Sequence, residues 1–213
     1  MTEHAEHSWS DPAHVEEYLA RMDRLGPRAQ GEAALAELLP ADPRLVLDLG
    51  CGDGRVSALV LAARPNIEQV VAVDISPPML AHARERFAGD RRVEVREGDL
   101  EAPVVGLGPR DLVVSGFAIH HVTDERKQTL FAEVLDLLEP GGTFANLEVV
   151  ASPTPALHAT FLEAIGRAHD DPGDVLAPVD RQLEWLRDVG FGEVDCLWKW
   201  RGFALLVGQK PTA

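Results

Sequence analysis

Short runs of β-branched and apolar residues alternate along this chain with longer stretches in which apolar residues recur at helical spacing. Strands that alternate with helices in this way form a parallel sheet covered on both faces. The pattern therefore predicts an α/β domain, with strands at residues 44–48, 69–74, 92–96, 111–115 and 143–150.

Proline and glycine mark where several helices begin and end. Ser-Pro-Pro at residues 76–78 predicts a helix start, because proline fits the first helical turn, and Glu-Pro-Gly-Gly at residues 139–142 predicts the end of another helix. Two more helices are expected before the first strand, at about residues 12–25 and 28–39.

The end of the chain follows a different pattern from its middle. Residues 193–200 and 203–209 predict two strands joined at Arg201 and Gly202, which makes them an antiparallel hairpin. An ordinary dinucleotide-binding fold continues its parallel alternation instead, so the hairpin indicates a different topology.

A glycine-rich loop follows the first predicted strand. Gly50, Gly52 and Gly54 allow the backbone to turn sharply and to approach a ligand closely. Asp74 ends the next strand twenty residues later, where a carboxylate is suited to bind both hydroxyls of a ribose. A phosphate-binding GxGxxG loop would have glycine in place of Arg55, so a dinucleotide is disfavoured. The alternative is a tight turn in which Asp74 only caps the following segment.

Residues 48–54 (DLGCGDG) resemble motif I of the class I S-adenosylmethionine-dependent methyltransferases, and Asp74 matches the ribose-binding acidic residue of that family. Residues 98–100, 111–115 and 138–142 are similar to its adenine-binding turn, its fourth strand and the turn before its fifth strand. The resemblance implies a Rossmann-like, mostly parallel sheet of seven strands with helices on both faces, in the order 3-2-1-4-5-7-6 with strand 7 antiparallel.

The resemblance also implies that S-adenosylmethionine lies across the carboxyl ends of strands 1 to 4 and leaves as S-adenosylhomocysteine. The loop backbone is expected at the methionine moiety, Asp48 at the ammonium group, Asp74 at the ribose and Asp99 at the adenine. Cys51 is expected to be a small loop residue and not a nucleophile. The residues implied to contact the cofactor are Asp48, Gly50, Cys51, Gly52, Asp74, Ile75, Met79, Asp99, Leu100, Ser115, Gly116 and Phe117.

Two adjacent histidines leave the fourth strand at its carboxyl end, where open α/β sheets place their ligands. His120 or His121 is the candidate catalytic residue, since a neutral imidazole is suited to deprotonate or orient an acceptor. One alternative is that one histidine packs and the other caps a helix. Another is a metal bound with Glu148, but tandem histidines lack the usual ligand spacing, so no metal is expected.

The acceptor pocket is expected to be closed by the N-terminal segment and by the insert after the fifth strand. Residues 1–43 are interpreted as an N-terminal helical cover over the active site, and residues 44–213 as the methyltransferase domain with an acceptor-side insert at about 151–177. The candidate acceptor-binding residues are Trp9, His14, Tyr18, Glu148 and His158.

The net charge of the chain disfavours some classes of binding partner. The 213 residues include 20 Lys and Arg against 35 Asp and Glu, a net charge of −15, so nucleic acid and anionic membranes are disfavoured partners. The two cysteines lack metal-site spacing, and no apolar run is long enough to span a bilayer, so we expect a cytoplasmic protein that is a monomer or homodimer.

The function predicted is methyl transfer from S-adenosylmethionine to an oxygen, nitrogen or carbon atom of a small molecule. The alternatives are an RNA or protein methyltransferase, a non-catalytic S-adenosylmethionine-binding module and a nicotinamide-dependent oxidoreductase.

Overall fold

The computed structural model describes residues 9–22 and 24–212. Its strands are β1 (Leu45–Leu49), β2 (Gln69–Asp74), β3 (Val93–Glu97), β4 (Arg110–Gly116), β5 (Leu138–Val149), β6 (Gly192–Trp200) and β7 (Phe203–Gln209). Its helices are α1 (Pro12–Met22), α2 (Gly26–Leu38), α3 (Arg55–Ala63), α4 (Pro77–Arg86), α5 (Asp124–Leu137), α6 (Pro155–Ala164) and α7 (Val179–Val189). A 3-10 turn, Ile119–His121, follows β4.

The strands form one sheet in the order β3-β2-β1-β4-β5-β7-β6. Strands β1 to β5 pair in parallel, whereas β7 lies antiparallel between β5 and β6. This order confirms the Rossmann-like, seven-stranded α/β fold that the resemblance implied. It also brings the carboxyl ends of β1, β2 and β4 side by side, where ligands bind in open α/β sheets.

The core lies in two layers because successive side chains of a strand point to opposite faces of the sheet. Val46 of β1 packs in the same buried cluster as Leu35 of α2 and Val60 of α3. The next residue, Leu47, packs in the cluster that contains Phe131 of α5. The two helical layers therefore hold the central strands, and with them the site at their ends, from both sides.

The structure differs from the predicted pattern at two boundaries. Helix α5 ends at Leu137 as expected, but residues 138–142 are the irregular first part of β5 and not a separate turn. Gly141 has a φ of 82° there, and the pairing of β5 with β4 shifts register between Arg110 and Leu112. Near the N-terminus, α1 ends at Met22, earlier than predicted, and residues 1–8 of the expected cover lie outside the described part of the chain.

None of the helices that the structure describes is long and apolar enough to cross a membrane.

Candidate functional site

The loop between β1 and α3 contains three glycines whose backbone is in the left-handed conformation. Gly50, Gly52 and Gly54 have φ angles of 67°, 54° and 81°. A Cβ atom added at Gly50 would lie 2.2 Å from the Cβ of Ala118, which no real contact allows. The loop therefore requires glycine both for its conformation and for its close approach to the segment that follows β4.

Asp74 ends β2 beside this loop. Its Oδ2 accepts a hydrogen bond from the backbone N–H of Gly52 at 2.8 Å, and its Oδ1 accepts one from Ser76 at 2.8 Å. Burial raises the pKa of Asp74, although these two N–H groups act in the opposite direction. A carboxylate has about four lone-pair sites, so Asp74 retains acceptor capacity towards the cleft that it lines.

Asp48 is fully buried two residues before Gly50. Its Oδ2 accepts a hydrogen bond from Ser57 Oγ at 2.6 Å, while Oδ1 has no hydrogen-bond partner among the residues described. Burial, with a smaller contribution from the nearby carboxylates of Asp74 and Asp53, raises the pKa of Asp48 to about 7, against the hydrogen bond from Ser57. The site thus contains a carboxyl group that titrates near neutrality.

A first cleft of about 810 Å³, including its open mouth, lies at the carboxyl ends of these strands. Ten of the twelve predicted cofactor residues line it: Gly50, Cys51, Gly52, Asp74, Ile75, Met79, Asp99, Leu100, Gly116 and Phe117. The other two lie behind the wall, where Asp48 binds Ser57 and Ser115 Oγ donates to the carbonyl of Leu49 at 2.8 Å.

Cys51 is buried in the glycine loop. Burial raises the pKa of its thiol, and the charges of Asp48 and Asp74 add to that effect. The thiol is therefore protonated at neutral pH, which makes it a poor nucleophile.

Several residues that the sequence analysis did not single out also line the first cleft. Among them are Arg28 and Arg55, which both contact Glu32: its Oε1 lies 2.9 Å from Arg28 Nε and 2.6 Å from Arg55 Nε. The spacing of Arg28 and Glu32 on α2 is a visible i,i+4 signal, but their meeting with Arg55 depends on the tertiary packing. The further lining residues are Leu19, Asp53, Val56, Gly98, Ala118 and Val122.

The N-terminal segment reaches the site through Trp9. The indole ring lies 5.2 Å from the ring of His14, 5.0 Å from Tyr18 and 5.7 Å from His121, measured between centroids. Ser76 Oγ donates to the carbonyl of Trp9 at 2.6 Å. Trp9 and Tyr18 line the first cleft, whereas His14 contacts Trp9 without being a lining residue.

His120 is held by Glu148 from the end of β5. Its Nδ1 lies 2.5 Å from Glu148 Oε1, and its backbone N–H donates to Oε2 at 3.0 Å. Burial by itself would lower the pKa of His120, but the charge and hydrogen bond of Glu148 raise it above its ordinary value. Both side chains are buried, so this pair is fixed in position.

His121 lies beside His120 in a different electrostatic environment. Burial holds the pKa of His121 well below its usual range, and the charge of His120 lowers it further. Its Nδ1 is 3.6 Å from Oδ1 of Asp174, a residue that the sequence analysis missed. Asp174 lies 53 residues further along the chain, and its position depends on a backbone contact in which Val175 donates to the carbonyl of His120 at 2.7 Å.

A second cleft of about 640 Å³, including its mouth, adjoins the first. Trp9, Tyr18, Arg28, Phe117 and His121 line both clefts and form their common wall. His120 lines only the second cleft, which residues of the 151–177 segment complete: Phe161, Leu162, Ile165, Arg167, Asp170, Asp171 and Asp174.

Like His14, the predicted acceptor residues His158 and Glu148 do not line the second cleft. His158 pairs instead with Asp170, its Nε2 lying 2.8 Å from Oδ2, and its ring centroid is 5.9 Å from that of Phe161. Glu148 lies behind His120. His158 and Glu148 therefore lie behind the second cleft, and each contacts a residue that lines it, Asp170 and His120 respectively.

The comparisons with known proteins agree with this geometry. Residues 46–142 match the family profile described as a methyltransferase domain. An uncharacterized methyltransferase of Mycobacterium bovis is 39% identical over 146 residues, which cover 65% of this chain and 68% of that protein. A malonyl-(acyl-carrier protein) O-methyltransferase of Enterobacter lignolyticus is 34% identical over 160 residues, covering 75% of this chain and 61% of the relative. The solved structure of an O-methyltransferase family protein from Burkholderia thailandensis aligns with a TM-score of 0.75 at 25% identity, over 95% of this chain and 61% of that one.

The fold and these relatives define the class of protein: the chain belongs to the class I S-adenosylmethionine-dependent methyltransferases. It spans about three fifths of the Enterobacter and Burkholderia proteins.

Proposed function

We propose that this chain transfers the methyl group of S-adenosylmethionine to a small molecule held in the second cleft. The observation that carries the proposal is the wall shared by the two clefts, at Trp9, Tyr18, Arg28, Phe117 and His121. The same five side chains would contact a ligand in either cleft, so ligands in both clefts would lie next to each other, with His121 in contact with each. A methyl donor and its acceptor require such an arrangement.

The residues of the first cleft suit S-adenosylmethionine. Asp48 Oδ1 is buried without a hydrogen-bond partner in the part of the chain that the structure describes, beside the glycine loop, which suits the ammonium group of the cofactor. Asp74 has acceptor sites left for ribose hydroxyls. Leu100 and Ile75 supply apolar surface for the adenine. When bound, the cofactor supplies an electrophilic methyl group on a sulfonium.

The chain itself aligns the acceptor and excludes water, which are the main requirements for a displacement at a methyl carbon. Rings of Phe117, Phe161 and Phe203 pack edge to face near the second cleft, with centroids 5.2 Å apart in two pairs. His121, at the shared wall, is the group proposed to contact the acceptor, and His120 lies behind it on Glu148.

Arg21 favours an acceptor with an anionic end. It lines the second cleft, and its Nε is buried with no hydrogen-bond partner among residues 9–22 and 24–212. The other two arginines of this cleft, Arg28 and Arg167, already pair with Glu32 and Asp171. A carboxylate on the acceptor would pair with Arg21, and the Enterobacter relative is named as an O-methyltransferase of malonyl-(acyl-carrier protein).

The domain division predicted from the sequence is part of the proposal. Trp9, Tyr18 and Leu19 contribute to the clefts from the N-terminal segment, which supports residues 1–43 as a cover over residues 44–213. Segment 151–177 contributes seven residues to the second cleft, which supports its role as the acceptor-side insert. We also propose that the protein is cytoplasmic, because both described cysteines are free thiols.

The experiment measures S-adenosylhomocysteine binding by calorimetry and its production from S-adenosylmethionine with a panel of small carboxylic acids, phenols and amines. We expect binding, turnover with one acid-bearing class, and identification of the methylated atom by mass spectrometry. Binding without turnover on any acceptor would favour a non-catalytic module, and a melting temperature raised by NAD(H) alone would favour an oxidoreductase.

A macromolecular acceptor is tested separately. The net charge of −15 predicts negligible affinity for RNA at physiological salt. Salt-dependent RNA binding together with methyl incorporation into RNA would replace the small-molecule proposal.

A further inference from the structure

Three side chains of metal-ligating types meet in the wall of the second cleft. The ligating atoms of His120, His121 and Asp174 all lie within 4.8 Å of one another. Asp174 Oδ1 is 3.5 Å from His120 Nε2 and 3.6 Å from His121 Nδ1. Ligands at about 2.0–2.2 Å from a tetrahedral ion are separated by about 3.3–3.6 Å, so the two distances to Asp174 match those of ligands around one ion. We call these three residues the His-His-Asp cluster.

Glu148 orients the first histidine for this role. With Nδ1 bonded to Glu148 Oε1, the ring of His120 turns Nε2 towards Asp174. Metal-bound histidines usually bond their second ring nitrogen to a carboxylate in this way, because the carboxylate fixes the ring orientation and makes the ligating nitrogen more basic. Glu148 is itself fixed by the backbone N–H groups of His120 and Val149, at 3.0 and 2.7 Å.

Asp174 supplies the observation that points to a ligand. Its side chain is only 5% exposed, and Oδ1 has no hydrogen-bond partner among the described residues, while Oδ2 accepts from the backbone of Asp171 at 3.0 Å. A buried carboxylate oxygen without a hydrogen bond is costly, and Oδ1 instead faces two imidazole nitrogens at 3.5 and 3.6 Å, a distance that an ion between them would explain. The loop is held there at Val175, whose N–H donates to the carbonyl of His120 at 2.7 Å and whose carbonyl accepts from Lys127 Nζ at 2.7 Å.

We propose that His120, His121 and Asp174 bind one divalent transition-metal ion, with Glu148 as the carboxylate behind His120. Two imidazoles and a carboxylate suit Zn²⁺, Fe²⁺ or Co²⁺, and the double positive charge is balanced by Asp174 and Glu148. Three protein ligands leave one coordination position open, and the cluster lines the second cleft. An oxygen or nitrogen atom of the acceptor would bind there.

This inference goes beyond the proposed function, since ion binding does not require methyl transfer. The proposed metal site also differs from what the sequence analysis expected. No metal was expected there, because adjacent histidines lack the usual ligand spacing, and the alternative that was considered had Glu148 as a ligand. The third ligand comes from a distant loop, and Glu148 holds a ligand instead of being one. A histidine that holds the ion does not take a proton from the acceptor, so His121 acts here as a ligand.

The test uses the full chain after treatment with a chelator and dialysis, titrated with Co²⁺ alone and followed by visible absorption and calorimetry. We expect one Co²⁺ per chain with the intense visible bands of a four-coordinate site, displaced by Zn²⁺. Asp174→Asn should weaken binding at least about 100-fold, and Glu148→Gln about 10- to 100-fold. His82→Gln, which changes a histidine beside Glu16 and outside the cluster, should bind as the wild type does.

Wild-type protein that binds Co²⁺ no more tightly than Asp174→Asn overturns the proposal, as does binding that His120→Gln and His121→Gln leave unchanged. Melting temperatures and S-adenosylhomocysteine binding are measured for every variant. If Asp174→Asn does not fold, His121→Gln gives the comparison. A stripped wild type that binds S-adenosylhomocysteine but no Co²⁺ refutes only the metal site, whereas one that binds Co²⁺ but no S-adenosylhomocysteine refutes only the proposed function.

Discussion

The two clefts share a wall, but the chain builds them in different ways. The first is formed by backbone and short side chains at the ends of three neighbouring strands, with Gly50, Gly52 and Asp74 as its main parts. The second is formed by long side chains from α1, the 3-10 turn, α6 and the loop around Asp174. The strand ends and their loops therefore shape the base of the first cleft, which the N-terminal segment covers at Trp9 and Tyr18, whereas most of the second cleft depends on segments packed around the sheet.

Because the two clefts are built differently, we expect cofactor affinity and the rate of turnover to depend on different residues. Apart from the residues of the shared wall, the described polar groups that line the first cleft are suited to hold a ligand and lie away from the second cleft. The buried imidazoles and carboxylates of the second cleft are the groups suited to chemistry at the acceptor. Substitutions in the first cleft should act on cofactor affinity, and those in the second on turnover.

The largest effect is expected for His121→Asn. Because His121 stands at the shared wall and is a ligand of the proposed ion, its loss should lower turnover about 100- to 10,000-fold, which corresponds to the several kcal/mol that a bound metal ion supplies. Affinity for S-adenosylhomocysteine should change less than about 3-fold. Turnover assays and calorimetry measure the two quantities, with His82→Gln as control. An equal loss of both would show that His121 is structural and that the clefts are not functionally separate.

Next in size is Gly50→Ala. A Cβ here meets Ala118 at 2.2 Å and the φ is 67°, so we expect a loss of stability of about 2–4 kcal/mol and of S-adenosylhomocysteine affinity by about 100-fold. The matched control is Gly106→Ala, with a φ of 70° and no heavy atom within 4 Å of the added Cβ. It should cost about 1 kcal/mol and leave affinity unchanged. Similar losses of affinity in both variants would contradict the role given to the loop.

Asp74→Ala should weaken S-adenosylhomocysteine binding by about 1.5–3 kcal/mol, or about 10- to 150-fold, because a charge-assisted hydrogen bond to the ribose is lost. Asp74 also binds the N–H groups of Gly52 and Ser76, so thermal unfolding is measured beside calorimetry. Unchanged affinity in a folded variant would remove Asp74 from the cofactor site.

The sequence predicts the first cleft well, because its parts are local. A glycine loop directly after a strand, and an acidic residue at the end of the next strand, meet wherever two parallel strands are neighbours, as β1 and β2 are. The same reasoning locates Ile75 and Leu100, which follow strand ends. Sheet order and the terminal hairpin also follow from strand patterning together with the family resemblance.

The second cleft could not be predicted in this way. Asp174 belongs to no periodic pattern, and it reaches His121 only because Val175 binds the backbone of His120 across 55 residues of chain. Glu148 was singled out for its position at the end of β5, but its partner depends on how the 3-10 turn orients His120. Such contacts depend on tertiary packing between segments that are distant in the chain, so the spacing of residues in the sequence does not predict them.

The smallest expected effect is the pH dependence caused by Asp48, the buried carboxyl group behind the first cleft. Its measurement tests whether Asp48 contributes to cofactor binding. Burial raises the pKa of Asp48 to about 7, against about 3.9 in an unfolded chain. Between about pH 4 and pH 7 the folded chain therefore binds more protons at Asp48 than the unfolded chain does, so the contribution of this group to the free energy of unfolding falls as pH rises.

Cofactor affinity should change with pH in the opposite direction. The ammonium group of S-adenosylhomocysteine favours the ionised carboxylate, so affinity should rise by up to about 10-fold from pH 6 to pH 8. Asp48→Asn should flatten both profiles, measured by calorimetry and urea unfolding. Asp90→Asn is the control, because Arg92 holds the pKa of Asp90 at about 2, below this window. If Asp48→Asn keeps the wild-type rise in affinity, Asp48 only shapes the loop, and the first cleft owes its cofactor affinity to Asp74 and the glycine backbone.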